Sequence, residues 1–272
     1  GIKIVGSHID SPRLDLKANP VHEQDGIVYF RTHYYGGIKK YQWTCIPLAL
    51  IGVVYTKDGK KVDINIGLKD DDPIFYVSDL LIHMAQDQMK KTLAEGITGE
   101  QLQAIAGTNA EEDLKPKEVF MKMLKDTYGI EEEDFAAAEL ELVPATKSRD
   151  VGFDRSLIAS YGQDDRVCSY ANLEAILQAK PGVKTQAALL TDKEEIGSYG
   201  NTGMESSYFV KFVMKLLALQ GKDTILDFYE TMENSEMLSA DVNSCMDPMF
   251  AEVSEKDNAS FLGYGINLTK YG

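Results

Sequence analysis

Four histidines stand in this chain of 272 residues, His8, His22, His33 and His83, and none follows His83. A Ser-His-Asp hydrolase whose histidine comes late in the chain is thereby excluded, and beyond His83 the acids are the main polar groups available for chemistry. His8 lies in Ser7-His8-Ile9-Asp10. Two residues apart on an extended chain, His8 and Asp10 point to the same side, where a carboxylate takes the proton of one ring nitrogen and leaves the other free for a metal. The same spacing also suits a hydrogen-bonded structural histidine. Three acidic sets join it: Asp164-Asp165 before Arg166, Glu194-Glu195, and Asp241 in Ser239-Ala240-Asp241. Acids like Asp164 and Asp165 at a helix start also serve simply as caps. Adjacent Glu194 and Glu195 repel each other unless solvent or a cation holds them. The glycines from Gly197 to Gly203 do not follow the G-x-G-x-x-G order of a dinucleotide loop. One imidazole with several carboxylates is a donor set for a divalent cation, and the lack of paired cysteines fits catalytic rather than structural zinc. A two-metal site about 3.5–4 Å across also needs one bridging carboxylate and one free carboxylate as base.

Strands and loops must bring these residues together. Ile2–Val5 reads as a short apolar strand ended or bent by Pro12, placing His8 and Asp10 at its carboxyl end, where α/β sheets keep their chemistry. Strand-like runs follow at Ile27–Tyr35, Thr44–Tyr55 and Lys61–Ile66, the last two joined by Lys57-Asp58-Gly59-Lys60, a hairpin turn. The periodicity predicts amphipathic helices over Asp79–Leu93 and Pro116–Tyr128, a mobile surface loop over Gly96–Lys115 between them, and a strand within Phe135–Thr146. Asp165–Ala179 is expected as a helix with Tyr170, Leu173, Ile176 and Leu177 on one side, closed by Pro181-Gly182. A buried strand around Ala187–Leu190 ends at the Glu194-Glu195 pair. Helices over Glu205–Gln220 and Thr224–Glu233 and a strand over Met237–Val242, delivering Asp241, complete the second α/β run. No repeat appears at periods of about 20 to 50 residues. The simplest organisation is an α/β domain of residues 1–17 and 149–272, split by an insertion of 18–148 with β-strands and helices of its own.

Composition narrows the partners. The 28 basic residues against 43 acidic ones give a net charge of −15, a field that repels phosphate backbones and argues against nucleic acid. No apolar run approaches the ~20 residues that span a bilayer. Cys45, Cys168 and Cys245 are odd in number, far apart and not in any CxxC pair, so free thiols in a reducing, cytoplasmic setting are expected. Both ends read as cut: the chain opens on Gly1 directly into a strand, and Phe261–Gly272 is strand-like with no tail.

Five segments in order, Ser7-His-Ile-Asp-Ser-Pro-Arg-Leu-Asp-Leu-Lys17, Tyr35-Gly-Gly-Ile38, Tyr161-Gly-Gln-Asp-Asp-Arg166, Asp192-Lys-Glu-Glu-Ile-Gly-Ser198 and Ser239-Ala-Asp-Val242, resemble the motif series of the aspartyl aminopeptidase and aminopeptidase I family of dinuclear zinc metallopeptidases, most closely its bacterial aminopeptidase I branch. The resemblance implies an α/β zinc-exopeptidase-like catalytic domain, with a mixed sheet between helices, interrupted by a β-rich dimerisation domain. It implies a metalloaminopeptidase acting on peptides, and a homo-oligomer whose dimers assemble into a tetrahedral dodecamer. By motif, His8 and Asp241 bind one zinc, Asp164 bridges both ions, Glu195 binds the second, Asp10 orients His8 and Glu194 is the general base. His83 is similar to a histidine that reaches into a neighbouring subunit's active site to hold substrate.

Two departures bear on that reading. Asn243-Ser-Cys245 follows Ser239-Ala-Asp241 where the family often has a histidine, and the family's second zinc histidine and a glycine-rich substrate segment come from a C-terminal region that these residues do not contain. The alternatives are a dinuclear amidase or deacylase using the same metal pair, and a noncatalytic assembly subunit. The donors suit Zn, Mn and Co alike, and the preferred N-terminal residue of the substrate is not legible.

Overall fold

The computed structural model describes residues 1–270, and contacts divide the chain into two compact units: Gly1–Asp10 with the chain from Gln163 onward, and Ser11–Gly162. In chain order the strands are β1 (Ile2–His8), β2 (Arg13–Gln24), β3 (Ile27–Tyr35), β4 (Leu48–Tyr55), β5 (Lys61–Ile66), β6 (Ala104–Gly107), β7 (Ala138–Pro144), β8 (Arg149–Val151), β9 (Leu157–Ala159), β10 (Thr185–Thr191) and β11 (Glu236–Ser239). The α-helices are α1 (Leu93–Gly96), α2 (Pro116–Tyr128), α3 (Gln163–Gln178), α4 (Tyr208–Ala218) and α5 (Ile225–Glu233). Among the described residues no helix is long and apolar enough to cross a membrane.

The first unit holds a three-stranded sheet ordered β10-β1-β11, with both pairings parallel. Alternation along β1 sorts its side chains: Ile2 and Ile4 enter a core with Val213 and Leu217 of α4 and Phe228 of α5, while Ser7 meets α3. Thr224 caps α5 by accepting from the Asp227 N–H at 3.1 Å. The expected helix over Asp165–Ala179 is present as α3, but its buried face is not apolar. Asp165, Ser169 and Asn172, spaced as neighbours on one helical face, are buried, whereas Tyr170 and Leu177 are 65% and 70% exposed. Polar pairing decides the orientation. The Ser7 and Ser169 hydroxyls lie 2.9 Å apart, Asn172 donates to Ser7 Oγ at 3.0 Å, and Ser169 donates to the His8 carbonyl at 2.5 Å. The strand expected over Phe261–Gly272 does not form among the described residues, where Tyr264, Ile266 and Leu268 are exposed and no neighbouring strand pairs with them; residues 271 and 272 lie outside the described residues.

The second unit is built on a six-stranded antiparallel sheet, ordered β5-β4-β7-β2-β3-β6, beside the small β8-β9 hairpin. Its core joins Leu14, Phe30, Leu48, Leu142 and Val54 from the sheet to Phe120 and Leu124 of α2. Gly129, in the left-handed region at φ 72°, ends α2 where that helix was expected to end. β2 was missed because its polar middle disguises it: its register with β3 shifts between Leu16 and Val21, a bulge that accommodates Pro20. The helix expected over Asp79–Leu93 is absent. Two single 3-10 turns, Ile82–Met84 and Gln88–Lys90, replace it, and its apolar side chains Leu80, Leu81, Met84, Met89 and Leu93 are all exposed. Helices draw most of their stability from packing an apolar face, and these side chains are more than half exposed among the described residues. Gly96–Lys115 is not the loose surface loop expected either: Ile97, Leu102 and Ala104 enter the core, and β6 pairs with β3.

Candidate metal centre

β1 delivers His8 with its ring buried, and the main chain runs straight on to Asp10. His8 Nδ1 lies 3.2 Å from the Asp10 carbonyl oxygen and 3.6 Å from Asp10 Oδ1. A carbonyl only accepts, so that contact places the proton on Nδ1 and leaves the Nε2 lone pair toward Asp241, whose Oδ1 is 3.5 Å away. Asp241 reaches this position because β11 continues as an extended chain past Ser239, the Ala240 N–H donating to the Gly6 carbonyl at 2.8 Å. Burial opposes protonation of His8, but Asp241, Glu194 and Asp10 together outweigh burial and raise its pKa.

The start of α3 supplies Asp164 and Asp165. Donor atoms of His8, Asp164 and Asp241 all lie within 4.8 Å of one another, and so do those of Asp164, Asp165 and Glu195. Asp164 belongs to both groups. Burial, then Asp241 and Asp165, push its carboxyl pKa up against the pull of His8. Glu195 rises further, to about 7, through burial first and then Asp165, Asp164 and Glu194. The Glu194-Glu195 pair follows β10 on a short 3-10 turn, Glu194–Ile196. Asp10 grips that turn: its Oδ1 accepts from the Glu194 N–H at 3.1 Å and its Oδ2 from the Glu195 N–H at 3.2 Å.

Asp165 is the member that sequence reasoning left without a role. It is 2% exposed, its Oδ1 has no hydrogen-bond partner among the described residues, and that atom lies 3.9 Å from His8 Nδ1. The signal for it was the polar spacing Asp165, Ser169, Asn172 along α3, which marks a buried polar helix face. His8, Asp10, Asp164, Glu194, Glu195 and Asp241 all belong to the first unit; His83 belongs to the second, exposed on the turn Ile82–Met84.

A buried carboxylate oxygen without a partner, beside acids of which Asp164 and Glu195 have raised pKa values, is costly unless a cation sits among them. One imidazole and carboxylates without thiolates form a hard N/O donor set, which suits a divalent ion of the zinc, manganese or cobalt type. The residues present fit such a metal.

Comparison with known proteins agrees with that chemistry. A family model described as aminopeptidase I zinc metalloprotease (M18) matches residues 1–272. The chain belongs to the M18 family. A probable M18 family aminopeptidase 1 from Clostridium acetobutylicum is 49% identical over 275 residues, covering 100% of this M18 chain and 59% of that protein. The crystal structure of an M18 aminopeptidase from Thermotoga maritima superposes with a TM-score of 0.93 at 46% identity, over 97% of this chain and 59% of that one. The mApe1 dodecamer of S. cerevesiae shares the fold, with a TM-score of 0.72 at 20% identity over 96% of this chain and 59% of that one. This M18 chain thus spans about three-fifths of the length of the relatives it matches.

Proposed function

We propose that the protein containing this chain is a cytoplasmic metalloaminopeptidase that hydrolyses the N-terminal residue from peptides, using two divalent cations, zinc foremost. The observation that carries the reading is Asp164, shared by two donor groups of which one holds His8 and Asp241 and the other Glu195. In this reading His8 and Asp241 hold one cation, Glu195 the other, and Asp164 both. Bound there, such cations polarise the scissile carbonyl and lower the pKa of water. Glu194 is the general base: its side-chain carboxylate, exposed beside the buried acids, takes a proton from the attacking water and returns it to the departing amine. Asp10 is a positioning residue, holding the main chain of Glu194 and Glu195 through both its oxygens. Burial in the acid cluster keeps Asp165 available as a further ligand or as a counter-charge to the His8 ring.

The second unit serves assembly. The exposed apolar run Leu80, Leu81, Ile82, Met84, Met89 and Leu93 surrounds His83, and in this reading it packs against another copy of the chain, His83 helping to hold that copy's substrate. A homo-oligomer, with dimers assembled into a tetrahedral dodecamer, follows. Free Cys45, Cys168 and Cys245 suit a reducing cytoplasm.

Glu194→Gln tests the assignment. It keeps the shape and the main-chain bond to Asp10, so bound metal should persist while kcat falls by about 100-fold or more. Unchanged turnover would remove Glu194 from the reaction.

A further inference from the structure

Asp192 ends β10 and opens the turn that bears Glu194 and Glu195. Its Oδ1 accepts from the Lys193 N–H at 2.9 Å, its Oδ2 accepts from the Thr202 hydroxyl at 2.5 Å, and Lys193 Nζ stands 3.5 Å away. The main chain closes at the same point: Asp192 and Gly203 form a parallel bridge, and the Asp192 N–H donates to the Thr202 carbonyl at 3.4 Å. Between these ends the backbone is wound through the left-handed region at Lys193 (φ 70°), Gly197 (φ 91°), Ser198 (φ 64°) and Gly200 (φ 104°). Lys193 and Ser198 have side chains that disfavour that region, and such conformations persist only where surrounding contacts over-determine them. The Ser198 N–H donates to the Lys193 carbonyl at 2.6 Å, and a Cβ on Gly203 would stand 2.1 Å from the Ser198 oxygen, so residue 203 must be glycine for the loop to fold back this tightly.

From this geometry we infer that Asp192 and Thr202 form a latch that closes the 192–203 loop and holds the Glu194-Glu195 turn in place against Asp164 and His8. Asp10 fixes the inner side of the turn and the latch fixes its base. Both latch residues are positioning residues: neither is counted among the proposed ligands, and their effect passes through Lys193. The inference rests on the metallopeptidase reading, because it assigns the latch to the placement of that reading's base and second ligand.

The test uses the full-length protein. Thr202→Val keeps the shape and removes the hydroxyl, Thr202→Ser keeps the hydroxyl, and Gly203→Ala pushes the Ser198 carbonyl away from the point where Gly203 bridges Asp192 while leaving both latch side chains chemically unchanged. Zinc affinity is measured with zinc alone against a competing chelator, and kcat and KM with an aminoacyl nitroanilide. Thr202→Val and Gly203→Ala should each weaken zinc binding by about 10- to 100-fold and lower kcat with KM little changed, and Thr202→Ser should restore both. Wild-type zinc affinity and kcat in Thr202→Val and Gly203→Ala would overturn the latch. Elemental analysis of the wild type run in parallel separates the two failures: a full-length protein that holds no divalent ion sinks the metallopeptidase reading itself, whereas one that holds two ions while Thr202→Val and Gly203→Ala match it sinks the latch alone.

Discussion

At the scale of single residues, the centre works by crowding acids around one imidazole. With no cation present, that crowding has a measurable sign. Glu195, Asp164 and His8 all have pKa values raised in the folded chain, Glu195 to about 7. A group with a raised folded pKa stabilises the fold below its unfolded pKa, and that contribution is lost as pH rises through the folded value. Chelator-treated protein should therefore melt at a lower temperature near pH 8 than near pH 5.5, and saturating zinc should cancel or reverse the trend, because metal binding competes with the same protons. A metal-free melting temperature that climbs with pH over that interval would contradict the crowding. Asp10→Ala removes the acceptor of two main-chain N–H groups. Zinc affinity should drop by about 10- to 100-fold, as read by chelator competition. Spacing alone placed His8, Asp10, Glu195 and Asp241 at strand ends and Asp164 at a helix start, where capping also favours an acid, and the roles proposed for them came from the motif resemblance. Asp165 was not legible in the sequence, since an acid beside another acid at a helix N-terminus reads as a cap until the helix face that buries it is known.

Among the elements, α3 shows how polar pairing overrides an apolar pattern. Leu173 and Leu177 suggest the buried side, yet hydrogen bonds among Ser7, Ser169, Asn172 and the His8 carbonyl turn the neighbouring face of Asp165, Ser169 and Asn172 inward. Ser169→Ala leaves the His8 carbonyl without that donor and the Ser7 hydroxyl without that partner, which should cost about 1–3 kcal/mol in denaturant unfolding. It should also loosen His8, visible as weaker zinc binding. α2 behaves in the opposite way, its helix fully readable from sequence because Phe120 and Leu124 do pack on the sheet, Phe120 meeting Phe30 edge-on at 5.7 Å. Phe120→Ala should destabilise the second unit by about 3–5 kcal/mol, a cavity cost readable in the same unfolding experiment. The segment from Asp79 to Leu93 has helical periodicity without the packing that makes a helix, which is why periodicity alone misjudged it.

For the whole molecule, contacts divide the chain into two units at Asp10/Ser11 and Gly162/Gln163, and the inserted domain over residues 18–148, read from the change of pattern along the chain, stands as a proposal. β2, which begins at Arg13, and the β8-β9 hairpin both belong to the second unit. If the exposed run around His83 is an interface between copies, Leu81→Glu in the full-length protein should shift sedimentation toward smaller species with circular dichroism unchanged. The central claim concerns metal, and metal content per chain in the full-length protein tests it most directly. By elemental analysis after dialysis, the wild type and Glu194→Gln should retain two divalent ions per chain, and Asp164→Asn should lose both, since it is the residue the two sites share. A wild type that holds no ion, or an Asp164→Asn variant that keeps two, would contradict it.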